Sequence, residues 1–158
     1  MNASEQTTSR RGFLAAGGAT AALGMVLGST ASAESATGPS ELEKANEKVV
    51  NDFCAAFDTL DQEKLLSFLS DDITFRMFDT APLIEGKEAM REGLATFLTP
   101  AKSAHFEMIR SQAMGNIVLN ERIDHFDMGE KKNAFHMTGV FLVKNGKIVE
   151  WYDYSMPK

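Results

Sequence analysis

Residues 105–156 read HFEMIRSQAMGNIVLNERIDHFDMGEKKNAFHMTGVFLVKNGKIVEWYDYSM, and their punctuation decides the fold. Four long strand-like runs, 105–114, 116–128, 134–143 and 147–156, follow one another with no helical pattern between them. Gly115-Asn116, Gly129 and Asn145-Gly146 fall at the joints, where hairpin turns need residues that tolerate positive φ. Strands in such succession make an antiparallel meander.

Upstream the periodicity changes from two to 3.6 residues. Ser40 and Glu43 form a capping-box pattern that opens a helix with apolar positions Leu42, Ala45, Val49, Phe53 and Phe57. A second helix starts at Asp61 and carries Leu65, Leu66, Phe68 and Leu69, and DDITFRMFD (71–79) is a further strand. A third helix runs from about Lys87 to Leu98 and stops before Pro100. Helices first and a meander afterwards predict an α+β fold. The N-terminal helices pack on a strongly curved, mostly antiparallel sheet, a cone-shaped α+β barrel with an apolar pocket at its mouth.

Residues 1–33 lie outside that pattern. Paired Arg10 and Arg11, then Phe13 and Leu14, an Ala/Gly-rich apolar run and Ala31-Ser32-Ala33 have the form of a twin-arginine signal peptide cut before Glu34. The run from Phe13 to Gly28 is Gly-interrupted and short for a membrane span. The expected destination is the periplasm, with residues 34–39 as a linker and 40–158 as a single domain. Removing two Arg and one Glu from 16 basic and 22 acidic residues leaves 14 and 21, a formal charge of −7. That balance argues against nucleic acid, and against an anionic membrane once the signal is gone. Cys54 is the only cysteine, so the chain holds no internal disulfide, and its apolar helix pattern suits a small core residue.

Arg122 and Asp124 stand two apart in the second strand of the meander and therefore point the same way. One face holds Val118, Asn120, Arg122, Asp124 and Phe126; the other holds Ile117, Leu119, Glu121, Ile123 and His125. Neither is wholly apolar, so alternation leaves the orientation open. The last strand repeats the theme, with Val149, Trp151 and Asp153 on one face. Inside, the charges must be paired or used; outside, they make an ordinary cross-strand ion pair of small value.

The stretch NERIDHFDMG, followed by TGVFLVKNGKIVEWYDY, resembles the second half of the limonene-1,2-epoxide hydrolase family, within the SnoaL-like, nuclear-transport-factor-2-like fold group. A weaker similarity runs through the first helix and EGKEAM. The resemblance implies that the family's Asp-Arg-Asp triad falls on Asp124, Arg122 and Asp153, with no cofactor. Two carboxylates close together in an apolar pocket tend to share one proton, and a guanidinium between them fixes both. One then serves as general base and the other as general acid. By this resemblance Asp153 deprotonates a water that attacks an epoxide carbon, Asp124 protonates the epoxide oxygen and Arg122 bridges them. The family also holds that water with a Tyr and an Asn, two residues apart on the strand after helix two. Phe75 and Met77 stand there, or Arg76 and Phe78 after a one-residue shift.

The same mapping puts Cys54, Phe57, Phe75, Met77, Phe106, Phe126, Phe135, Met137 and Trp151 in the pocket wall, a lining suited to a hydrophobic or aromatic small molecule. His105, His125 and His136 lack metal-ligand spacing, so no metal site is expected. Tyr152 and Tyr154 lie opposite Asp153, placed to pack on helices or on the second subunit of a homodimer. Epoxide hydrolysis is the leading expectation. A lyase or isomerase acting on a lignin-derived aromatic alcohol with aldehyde release is the alternative, and a non-catalytic carrier of an apolar ligand the third. For the last hairpin, a three-residue loop at 144–146 is expected, which would pair Asp153 with Met137 and Trp151 with Gly139 and leave His136 outside. A two-residue Asn145-Gly146 turn would instead bring Thr138 opposite Asp153.

Overall fold

The computed structural model describes residues 38–78 and 80–156; the signal-peptide reading of 1–33 and most of the linker lie outside the described residues. The chain runs through helix α1 (Glu41–Ala56), a 3-10 turn (Phe57–Thr59), α2 (Gln62–Ser67), strands β1 (Leu69–Met77) and β2 (Ile84–Glu85), and α3 (Lys87–Leu98). Then come β3 (Ser103–Met114), β4 (Ile117–Asp127), β5 (Lys132–Lys144) and β6 (Lys147–Ser155). The six strands form one sheet in the order β2-β1-β6-β5-β4-β3. β3 to β6 are the expected antiparallel meander, whereas β1 lies parallel to β6. The sheet is mixed and open, with β2 and β3 at its edges, so the α+β class holds without barrel closure.

The capping box at the start of α1 is present: Ser40 Oγ accepts from the Glu43 N–H, and the Glu43 carboxylate accepts from the Ser40 N–H. The buried stripe is Asn46, Val50, Phe53, Cys54 and Phe57. Relative to the expected stripe it is rotated by one residue at its N-terminal end, leaving Leu42 and Ala45 exposed. The reason is a polar residue with a buried job. Asn46 Nδ2 donates to the Gly115 carbonyl at 2.9 Å and tethers α1 to the β3–β4 turn. α3 buries Met90, Leu94 and Leu98, spaced i, i+4 and i+8.

The last hairpin corrects the expected register. Asn145 and Gly146 both take positive φ (51° and 72°), and Lys144 pairs with Lys147 across a two-residue turn. One residue, Val149, then bulges out of β6 between the pairs Val143–Ile148 and Leu142–Glu150. Phe141 therefore faces Trp151 and Gly139 faces Asp153. The bulge returns Trp151 and Asp153 to the same side of the sheet as Met137, Gly139 and Phe141. His136 stays on the other side, where it meets Glu121 at 2.8 Å.

Candidate active site

Gly139 is the notch around which the site is built. The pairing sets Asn120 of β4, Gly139 of β5 and Asp153 of β6 side by side across the sheet. With no side chain on the middle strand, the Arg122 guanidinium crosses from β4 above Gly139 and reaches β6. A Cβ placed at Gly139 would lie 2.5 Å from Arg122 Nη1, 2.5 Å from the Phe141 ring and 2.6 Å from Asn120 Oδ1. The glycine makes room for an arginine, and it stands opposite Asp153 where Trp151 was expected.

Arg122 is fully buried, and Asp124 and Asp153 are only 5% and 2% exposed. Arg122 Nε donates to Asp124 Oδ1 at 2.8 Å and Nη2 to Asp124 Oδ2 at 3.2 Å. Nη2 also donates to Asp153 Oδ2 at 2.6 Å. Nη1 donates at 2.9 Å to Asn120 Oδ1, which accepts a second bond from the Gly139 N–H at 3.2 Å. Beneath, the guanidinium carbon stands 5.0 Å from the centre of the Phe106 ring. All three nitrogens of the cation donate to the protein, so its position is over-determined.

The electrostatics follow from one cation between two carboxylates. Burial pushes Asp124 up to about 6, with Arg122 opposing the rise and the like charge of Asp153 adding to it. Burial also raises Asp153, against the attraction and hydrogen bond of Arg122. Arg122 stays protonated because the paired carboxylates outweigh its own desolvation. The pair therefore retains a proton above the ordinary carboxylate range, as coupled buried acids do.

The two aspartates lie at the buried end of a cavity of about 210 Å³. Phe57, Phe75, Met77, Phe106, Phe126, Phe135, Met137 and Trp151 all line it, with the exposed Phe97 and Phe135 at the mouth. Phe75 and Met77 of the unshifted reading both face the cavity, whereas Arg76 of the shifted reading does not line it. Cys54 is a correction. It is buried on α1 behind the site, where its Sγ meets Asn120 Nδ2 at 3.5 Å, and burial pushes the thiol up to about 12. Phe78 of the shifted reading lines it too, and Met90, Leu94, Phe97, Met128 and Asn133, which were not foreseen, add to the wall. Asn120 was also missed, although its place two residues before Arg122 on the same face was the available signal. The three histidines pair with Asp58, Glu107 and Glu121, away from the cavity.

Helices packed on an open mixed sheet, with an Arg-bridged carboxylate pair at the end of an apolar cavity, define a SnoaL-like, nuclear-transport-factor-2-like α+β protein. Its sequence matches the limonene-1,2-epoxide hydrolase catalytic domain over residues 44–156, and the chain belongs to that family. It is similar to an LEH-like epoxide hydrolase from M. tuberculosis, at 25% identity and TM-score 0.66, over 72% of this chain and 84% of that one. A SnoaL-like protein from Jannaschia sp. CCS1 has the same fold at 10% identity and TM-score 0.66, over 75% and 90% of the two chains. An NTF2-like protein from Anabaena variabilis does so at 21% identity and TM-score 0.63, over 73% and 89%.

Proposed function

We propose that the protein hydrolyses a small hydrophobic epoxide without a cofactor, using Asp153 as base, Asp124 as acid and Arg122 as the bridge. The observation that carries this reading is the free oxygen of Asp153. Both Asp124 oxygens are engaged by Arg122, but Asp153 Oδ1 has no protein partner and belongs to a cavity-lining residue. A base needs a lone pair directed at its proton donor, and Asp153 Oδ1 is the one oxygen of the two carboxylates that accepts no protein hydrogen bond. In turnover a water proton passes to Asp153 as the water oxygen bonds to an epoxide carbon. The carbon–oxygen bond of the ring breaks, and its oxygen takes the proton held by Asp124. Exchange with solvent then restores the starting distribution of one proton over two carboxylates.

Arg122 contributes by keeping the pair at a fixed separation and total charge while the proton changes sides. The cavity is smaller than the roughly 300–1,000 Å³ clefts that take drug-sized ligands, and its Phe and Met walls favour a compact apolar or aryl epoxide. The twin-arginine pattern of residues 1–33 supports, as part of the same proposal, a periplasmic destination for this activity.

The test is turnover of alicyclic and aryl epoxides in oxygen-18 water. Solvent label in the diol, lost in D153N and in D124N, supports hydrolysis. A second reading draws on Phe75 and Met77, which bring no hydrogen-bonding side chain to the wall. It is a lyase in which Asp153 takes a hydroxyl proton from an aromatic alcohol and an aldehyde leaves. Unlabelled aldehyde from the same assay would select it. Ligand binding without turnover, unaffected by neutralising both aspartates, would select a carrier.

A further inference from the structure

Two buried polar atoms of the cavity wall are left unpaired, and they are complementary. Among the described residues, five buried side-chain polar atoms lack a hydrogen-bond partner, and of these only Trp151 Nε1 and Asp153 Oδ1 belong to residues lining the cavity. One is a donor without an acceptor, the other an acceptor without a donor. They stand two residues apart on β6, so both side chains project from one face of the sheet. Trp151 is 3% exposed and Asp153 2%. Leaving either group unsatisfied inside the protein is unfavourable.

The indole has little freedom to turn away. Its ring lies 4.2 Å from Phe75, 5.1 Å edge-on from Phe53 and 5.9 Å, nearly parallel, from Phe141. The N–H is near enough to favour the Asp153 anion but outside hydrogen-bonding geometry with it. The group that satisfies both atoms at once has one oxygen that accepts from nitrogen and donates to a carboxylate. Water has that form.

We propose that Trp151 is the positioning donor for the nucleophilic water, its indole N–H holding the oxygen while Asp153 Oδ1 takes the proton. The assignment rests on the hydrolytic reading above and adds the residue that aims its nucleophile. The oxygen accepts from Nε1 with one lone pair and keeps the other for the epoxide carbon. One hydrogen goes to Asp153, the second remains as the new hydroxyl, and the epoxide oxygen is protonated by Asp124. Phe75 and Met77, the neighbouring wall on β1, supply no competing donor or acceptor.

The protein contains a single tryptophan, so its indole N–H gives one resonance in nitrogen-15 spectra. In the unliganded wild type we expect a cross-peak from that proton to bound water, and a pH titration of the resonance that disappears in D153N. W151F keeps an aromatic ring and removes the N–H. We expect it to bind substrate with KM within about threefold while kcat falls about 10–100-fold, the range that loose positioning produces. The acidic limb of its pH profile should move to higher pH, because the anion of Asp153 loses support. An indole N–H with no water contact overturns the assignment, whether it is silent to Asp153 or answers it through a direct hydrogen bond, and whether or not W151F folds. Wild-type kcat in folded W151F overturns it as well. If no epoxide is turned over by wild type but the indole–water contact is present, the hydrolytic reading falls and the water site stands.

Discussion

Replacing Gly139 with alanine tests whether the arginine bridge depends on the notch beneath it. The backbone is no obstacle, since Gly139 is absent from the positive-φ residues. The added methyl carbon would sit 2.5–2.6 Å from Arg122 Nη1, Phe141 and Asn120 Oδ1, where ordinary contact begins near 3.4 Å. Something must retreat by nearly 1 Å. Phe141 is fully buried, and Arg122 is held at once by Asn120, Asp124 and Asp153. The flexible end of a side chain therefore has nowhere to go. Overpacking of this kind costs about 1–3 kcal/mol, a Tm loss of about 4 °C for each kcal/mol in a domain of this size. A guanidinium displaced by about 1 Å should also cost about 100-fold in kcat/KM. Thermal unfolding and epoxide turnover of G139A read the two effects separately. Wild-type Tm together with wild-type turnover would refute the whole account of how Arg122 reaches Asp153.

Three further outcomes follow from the same geometry. R122M leaves two buried carboxylates without a cation, so it should lose about 3–5 kcal/mol at pH 8 and much less at pH 5, where the carboxyls are protonated; equal losses in urea unfolding at both pH values would contradict the pairing. Burial holds Asp124 at about 6 in the folded protein, above its ordinary 3.8, so the folded state binds the proton more tightly. Its contribution to stability is full below 3.8 and is lost as pH rises through 6, about 3 kcal/mol in all. D124N should therefore gain on wild type by about that much between pH 4 and pH 8, and a constant difference would remove the case for a raised Asp124. Cys54, buried with its thiol at about 12, should ignore a disulfide exchange reagent in the native protein and react fully once unfolded; rapid native reaction would place it at the surface.

The helices and the meander were legible because local signals agreed, whereas alternation left the facing of Arg122, Asp124 and Asp153 open and only the family resemblance turned them inward. The capping box at Ser40, the α3 bounds at Lys87 and Leu98 and the turn residues between strands each have one good structural solution. The register of the last hairpin was not legible, because two devices offset one another. The Asn145-Gly146 turn shifts the pairing by one residue, and the bulge at Val149 restores the face. A bulge at Val149 needs no glycine and leaves no mark in composition. Asn46 and Asn120 escaped for another reason: their burial depends on partners distant in the chain, Gly115 for the first and Arg122 with Gly139 for the second. Cys54 shows the limit of a helical stripe, which tells inside from outside but not cavity wall from the layer behind it.

β6 lies between β1 and β5, and it follows both in the chain. Until residues 147–155 are in place, the sheet exists only as two unjoined pieces, β1 with β2 and β3 through β5. Its parallel partners on β1 are 76–79 residues back, so closing that seam is slow relative to zipping the local hairpins. Asp153 and Trp151 ride on this keystone strand, and neither can meet Arg122 or the cavity before the seam closes. Enzymatic activity in refolding should therefore lag behind recovery of hairpin structure, reporting the final insertion and nothing earlier.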